Sequence, residues 1–221
     1  MLEVFKKEQL SMLPPNSMIM GGQLRPEMAL AHFNTIADAT DLPLIAFQYP
    51  QTSGQGYPFD TLLRMIEEVP NIKAIKDWSN DAMLHEKHIR ALQSGAMGRA
   101  ITVLTTHSSW LMASLSMGAN GLLSGAGSVI PDLHVALFQA VKTGNLKDAQ
   151  AINDRIYPLA QAFYTPPFLD MHNRMKECLV LLGRLERAFV RPPLMKLTDG
   201  EIKRLALALE QAGLLRRAAA E

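Results

Sequence analysis

Short apolar runs of strand length alternate along this chain with longer stretches whose apolar positions recur every three to four residues. From Pro26 to Ala39, Met28, Ala29, Leu30, Phe33, Ile36 and Ala37 mark one face of a helix, and Pro26 suits its first turn because a helix leaves that N–H unused. Leu42 to Tyr49 is a near-continuous apolar run closed by Pro50, the pattern of a strand covered on both faces. The same reading predicts a helix over Thr61 to Glu68, a strand over Asn71 to Lys76 and a helix over Asp81 to Ser94. Beyond these it predicts a strand over Ala100 to Thr105, a helix over Ser108 to Met117 and a strand over Ala119 to Ser124. A fifth strand is expected to end near Ser11 to Pro15, after a helix candidate at Leu2 to Leu10. Such alternation predicts an α/β fold with a parallel sheet, because parallel neighbours need a crossover that a tight hairpin cannot supply. From Pro131 onward strand candidates cease, and helices are expected at about Pro131 to Val141, Leu146 to Tyr164, Leu169 to Leu185 and Asp199 to Ala212. Between the last two, Arg191-Pro192-Pro193 must leave helix, since consecutive prolines remove donors and restrict the residue before them.

Composition changes this picture little. The 221 residues are 48% hydrophobic and 19% charged with a net charge of +1, so a core is affordable and no strong charge attraction to nucleic acid or membranes is built in. The single cysteine, Cys178, lies in an apolar helical pattern, reads as a core residue and fits a reducing compartment. The opening MLEVFKKEQL carries charges where a secretory signal needs an apolar run, and no segment reaches the ~18 apolar residues of a membrane helix. A cytoplasmic protein is expected.

Candidate chemistry centres on Lys76 in NIKAIKDWSND. Side chains alternate along a strand, so Ile72, Ala74 and Lys76 share one face and Lys73 and Ile75 the other. A lysine held at the carboxyl end of such a strand can be desolvated, lose its proton near neutral pH and attack a ketone as a Schiff-base nucleophile. The local pattern fits a solvated strand-end lysine equally well. Asp77 falls on the opposite face and reads as a loop-orienting or capping residue. His85-Glu86-Lys87-His88 has histidines three apart rather than the four of a metalloprotease helix, and is expected to be a solvated helix face. Gly118, Gly121, Gly125 and Gly127 spell neither a dinucleotide fingerprint nor a P-loop and read as close backbone packing. His107, Ser108 and Ser109 are too close in sequence to serve one another as base and nucleophile.

The ordered set IKDWSND around Lys76, HFNTIADATDLPLIAFQYP (His32 to Pro50), SMGANGLLSGAGSVIP (Ser116 to Pro131) and HNRMKECLVLLG (His172 to Gly183) resembles the dihydrodipicolinate synthase and N-acetylneuraminate lyase family over roughly Met12 to Leu197. The resemblance implies a (β/α)₈ TIM barrel, here partial with about five strand-helix units over 1–144, and a helical C-terminal region over 145–221. It implies a lyase or aldolase in which Lys76 forms an imine with pyruvate or another 2-oxo acid, without metal or organic cofactor, in a dimer or tetramer. It places Phe47, Tyr49, Thr106, Leu123 and Ser124 around the substrate pocket. Three departures stand out. The family's proton-relaying tyrosine falls at Phe47, whose ring carries no exchangeable proton. Its carboxylate-gripping arginine falls at Thr52, and a glycine after the next strand at Thr106. The chain also starts near the family's fourth strand, without the Gly-Thr-Thr carboxylate cradle. A fragment or truncated paralogue with open sheet edges, completed by association, is therefore expected, and the alternative to an enzyme is a catalytically impaired small-molecule-binding or oligomer component.

Overall fold

The computed structural model describes residues 25–96 and 98–215. The helix candidate at Leu2 to Leu10 and the strand end at Ser11 to Pro15 lie outside them. The described elements run α1 (Pro26–Ala39), β1 (Leu44–Gln48), α2 (Phe59–Glu68), β2 (Ile72–Asp77), α3 (Ala82–Gln93), β3 (Thr102–Thr105), α4 (Leu111–Ser116), β4 (Gly121–Leu122), α5 (Pro131–Lys142), α6 (Leu146–Phe163), α7 (Met171–Leu181) and α8 (Asp199–Gln211).

The four strands form one parallel sheet in sequence order, β1-β2-β3-β4. The starts of the two outer strands, β1 and β4, are set by a proline and by an asparagine side chain. Pro43 has no N–H, and the first bond of β1 is Leu44 N–H to the Asn71 carbonyl at 2.7 Å. At the far edge the Asn120 side chain accepts from Val103 N–H at 2.8 Å while its own N–H donates to the Val103 carbonyl at 2.9 Å, so pairing starts ahead of the two-residue β4. One side of the sheet is closed by helices: Leu44, Ala46, Ile75 and Val103 are buried, as are Leu62, Met65 and Ile66 of α2 and Ile89 and Leu92 of α3. Helix α3 is started by Asp81, whose carboxylate accepts from Leu84 N–H at 3.0 Å. Arg99 fastens the end of α2, donating to the carbonyls of Ile66, Val69 and Pro70. The predicted helix over Ser108 to Met117 divides into a 3₁₀ turn, Ser108–Trp110, followed by α4.

The chain groups into two compact units, the residues up to His107 with Ala113–Leu123 in one, and Ser108–Met112 with the residues from Ser124 in the other. The second unit is helical. Its core comprises Leu137 of α5, Leu159 and Phe163 of α6, Met175 and Cys178 of α7 and Leu205 and Leu209 of α8, all buried. Helix α8 opens on a full capping box: Thr198 accepts from Glu201 N–H at 3.3 Å, and the Glu201 carboxylate accepts from Thr198 N–H at 3.3 Å. No helix among the described residues is long and apolar enough to cross a membrane.

Candidate active site

Register places the lysine. Lys76 is the penultimate residue of β2, flanked by Phe47 of β1 on one side and Leu104 of β3 on the other. Its neighbour Asp77 turns towards α3, where it meets two histidines of that helix, so alternation sends Lys76 to the opposite face of the sheet. There its Nζ lies 4.1 Å from the centroid of the Phe47 ring. Phe47, Tyr49 and Trp78 form a half-buried aromatic cluster around it, with centroids 4.3 Å apart for Phe47 and Tyr49 and 5.5 Å for Tyr49 and Trp78. Burial against these rings brings the Lys76 amine down from the ordinary lysine range to about 8, while burial alone pushes the Tyr49 phenol up.

The loop after β1 is pinned at its base. The buried Gln48 amide donates to the Tyr57 carbonyl at 3.0 Å and its oxygen accepts from Tyr57 N–H at 3.3 Å, closing Tyr49 to Gly56 as a backbone pair would. Gly56 sits so close that a Cβ there would strike the Tyr49 carbonyl oxygen. Thr52, where the resemblance predicts a departure from the family's arginine, is exposed on the loop tip in a 3₁₀ turn, Gln51–Ser53.

Of the other expected pocket residues, Thr106 is buried and its N–H donates to the Asp77 carbonyl at 3.0 Å, so it extends the β2–β3 pairing. Leu123 N–H donates to the Thr105 carbonyl at 2.9 Å and its side chain is half-buried. Ser124 belongs to the helical unit, where its hydroxyl pairs with that of Ser108 at 2.6 Å. The structure therefore brings Lys76, Phe47 and Tyr49 together on one sheet face.

The His85–His88 segment differs from its expected solvated state. Both rings are fully buried, and both Nδ1 atoms contact Asp77 Oδ2, at 2.8 Å from His85 and 2.7 Å from His88. The reason is helical phase: His85, His88, Ile89 and Leu92 form the buried stripe of α3. Asp77 Oδ1 accepts from Ser79 N–H at 2.8 Å, which agrees with a loop-orienting role. Burial pushes the Asp77 carboxyl up, but the hydrogen bonds from His85 and His88 and the positive potential of His88 and His107 outweigh it and hold it well below the usual carboxylate range. His107 joins this cluster from the end of β3, and burial brings its ring down to about 4. A separate cavity of about 460 Å³ opens among the C-terminal helices, lined by Tyr157, Arg174, Glu201 and Leu205 among others, and contains none of the expected site residues.

The model of the dihydrodipicolinate synthetase family matches residues 23–212. The chain belongs to that family. Relatives named 4-hydroxy-tetrahydrodipicolinate synthase include one from Nitrobacter hamburgensis, 34% identical over 83% of this chain and 59% of its own length. Another, from Methanosarcina mazei, is 29% identical over 86% of this chain and 62% of its own. Among solved structures, the chain is similar to YagE, a prophage protein of this family from E. coli K12 in complex with pyruvate, with a TM-score of 0.78 and 23% identity over 89% of this chain and 64% of that one. It is equally similar in fold to a monomeric dihydrodipicolinate synthase variant, with a TM-score of 0.78 and 21% identity over 89% of this chain and 63% of that one. The four-stranded parallel sheet and its helices are thus part of a TIM barrel, followed by a helical C-terminal region. The chain spans about 60% of the length of the synthetase-family relatives it matches.

Proposed function

We propose that this chain is a lysine-dependent lyase or aldolase of the dihydrodipicolinate synthetase family, acting on pyruvate or another 2-oxo acid through an imine at Lys76. The carrying observation is the placement of Lys76. Its amine stands near the carboxyl end of a parallel strand, the end at which TIM-barrel enzymes act, half-buried against aromatic rings that shift it towards its neutral, nucleophilic form. Nζ adds to the ketone carbon, and loss of water leaves a protonated imine. That cation accepts the electron pair released when a carbon–carbon bond next to it breaks, or supplies an enamine carbon when one forms. Phe47 and Tyr49 shape the face on which the imine stands, Thr106, Leu123 and Ser124 are assigned to the pocket wall, and none of these steps draws on a metal or organic cofactor. Phe47 cannot relay a proton. That favours a second reading, in which the chain binds a 2-oxo acid, or serves as an oligomer component, without turning it over. A cytoplasmic homo-oligomer, dimer or tetramer, belongs to this proposal through the family alone.

Borohydride reduction in the presence of pyruvate tests it. Hydride delivered to the imine carbon fixes the adduct on Lys76, and the mass increase must map to that residue and vanish in Lys76→Ala. Folded protein that forms no adduct with any of several 2-oxo acids would exclude the imine, whereas an adduct without cleavage or condensation would favour the binding-only reading.

A further inference from the structure

The residues one step beyond Lys76 bear on what the far end of its substrate carries. The β1–β2 pairing continues past the strands: Trp78 N–H donates to the Gln48 carbonyl at 2.8 Å, which sets Tyr49 and Trp78 side by side at the carboxyl end of the sheet. The Gln48 amide also donates to the Tyr49 carbonyl at 3.2 Å, so the backbone under both rings is held. The two rings meet edge to face with centroids 5.5 Å apart and are only half-buried. Phe47 completes the cluster, 4.3 Å from Tyr49 and 6.5 Å from Trp78. A fixed pair of large, half-exposed rings beside a reactive amine is an apolar surface for a ligand to cover.

Charge narrows the ligand further. On the face of the sheet shared with Lys76, β1, β2 and β3 present Ile45, Phe47, Ala74, Thr102 and Leu104, none of them charged. Once Lys76 has become a protonated imine, its positive nitrogen stands next to the C1 carboxylate of the bound 2-oxo acid and offsets it. A second carboxylate farther along the substrate would meet no counter-charge on this wall and would lose its hydration without compensation. An aromatic ring gains by leaving water. The lengths agree with a ring. C4 of a 2-oxo acid stands three bonds of about 1.3–1.5 Å from Nζ, Nζ lies 4.1 Å from the Phe47 centroid, and Phe47 in turn lies 4.3 Å from Tyr49, so a ring borne on C4 comes within reach of Tyr49 and Trp78.

We infer that the substrate of this site is a 2-oxo acid carrying an aromatic group on C4, and that Tyr49 and Trp78 are the specificity-determining residues that stack against it. The inference rests on the imine reading and deepens it. In the cleavage direction the substrate is a 4-hydroxy-4-aryl-2-oxobutanoate. Water takes the proton of the C4 hydroxyl, the C3–C4 electron pair passes into the imine and the aromatic aldehyde departs. Protonation of C3 and hydrolysis of the imine then release pyruvate and restore Lys76. One substrate gives one aldehyde and one pyruvate, with no net oxidation or reduction.

The test is borohydride trapping on the full chain, with adduct at Lys76 measured against concentration for pyruvate, 2-oxohexanoate, 2-oxoglutarate and 2-oxo-4-phenylbutanoate, the last an analogue without the C4 hydroxyl. Half-maximal trapping by the phenyl compound is expected at a concentration about 10–100-fold below that of pyruvate, with 2-oxoglutarate no better than pyruvate. Trp78→Ala should cut the preference for the phenyl compound over pyruvate about fivefold and Trp78→Phe should restore most of it, a ratio that a loss of folded protein does not move. In Trp110→Phe, where Trp78 is the remaining tryptophan, the phenyl compound should change the indole emission and pyruvate should change it less. Adducts at similar concentrations from pyruvate and the phenyl compound, equal trapping of 2-oxohexanoate and the phenyl compound, or a preference for 2-oxoglutarate would each overturn the aromatic assignment and leave the imine reading standing. A preference that Trp78→Ala leaves unchanged, or an indole emission that the phenyl compound does not alter, does the same. No adduct with any of the four removes the imine reading and this inference with it.

Discussion

Replacing Lys76 by methionine should stabilise the fold, by an amount that depends on pH. Burial lowers the amine from 10.5 to about 8, and at 1.36 kcal/mol per unit the folded state bears a penalty of about 3 kcal/mol for holding the charged form. The Phe47 ring, 4.1 Å from Nζ, returns about 0.5–1 kcal/mol of that by attracting the cation, and partial exposure reduces it further, leaving about 2 kcal/mol. Methionine keeps the length and removes the charge, so Lys76→Met should gain about 2 kcal/mol near pH 7. The sign with pH follows from linkage. Below pH 8 both states of the wild type are protonated and the penalty is complete. Between about 8 and 10.5 the unfolded chain binds the proton and the folded one does not, so wild-type stability rises with pH and the advantage of the variant shrinks to nothing. Urea denaturation of both chains at pH 7 and pH 10 measures this directly, because other titrations cancel in the difference. A variant no more stable than wild type at pH 7, or a difference that does not change between the two pH values, would show that Lys76 is solvated and remove the physical basis for its nucleophilicity.

Gln48→Leu should cost about 2–3 kcal/mol in urea unfolding, because it strands the buried N–H of Tyr57 and weakens the pairing of its carbonyl. Thr198→Ala should cost about 1 kcal/mol by removing one half of the α8 capping box, with Thr198→Ser restoring most of it. Burial, with a smaller contribution from Glu177, pushes the Cys178 thiol from 9.0 up to about 12, so at pH 8 a thiol reagent should label native chain about a thousandfold more slowly than urea-unfolded chain. Equal rates would place Cys178 outside the core.

Much of this was legible because hydrophobic phase survives folding. Pro26 opens α1 as its missing donor requires, and the alternation of Ala74, Lys76 and Asp77 places the lysine on one face and the aspartate on the other. The burial of the α3 histidines follows from apolar phase and not from the spacing between them: His85 and His88 occupy the stripe continued by Ile89 and Leu92, and a histidine in that stripe is buried whatever its distance to the next. Their shared partner, Asp77, could not be read from the chain, since a contact spanning eight and eleven residues between a strand and a helix depends on how the two pack. The limits of β4 were likewise set by tertiary pairing, with Asn120 completing the ladder through its side chain where propensity predicted more strand.

The Gln48 amide has a further consequence. By closing the hairpin-like excursion from Tyr49 to Gly56 with a side chain, it separates the geometry of the loop's feet from the identity of its tip. Thr52 stands exposed at that tip, whereas Gln51 donates to the Tyr57 carbonyl at 3.3 Å and Ser53 bonds to the Pro50 carbonyl and the Gln55 N–H, so Thr52 is the position that can be exchanged with least effect on the loop. A lineage of such chains can therefore vary that rim while inheriting unchanged loop feet, and saturation at Thr52 is the place to look for variation that leaves the Lys76 surroundings intact.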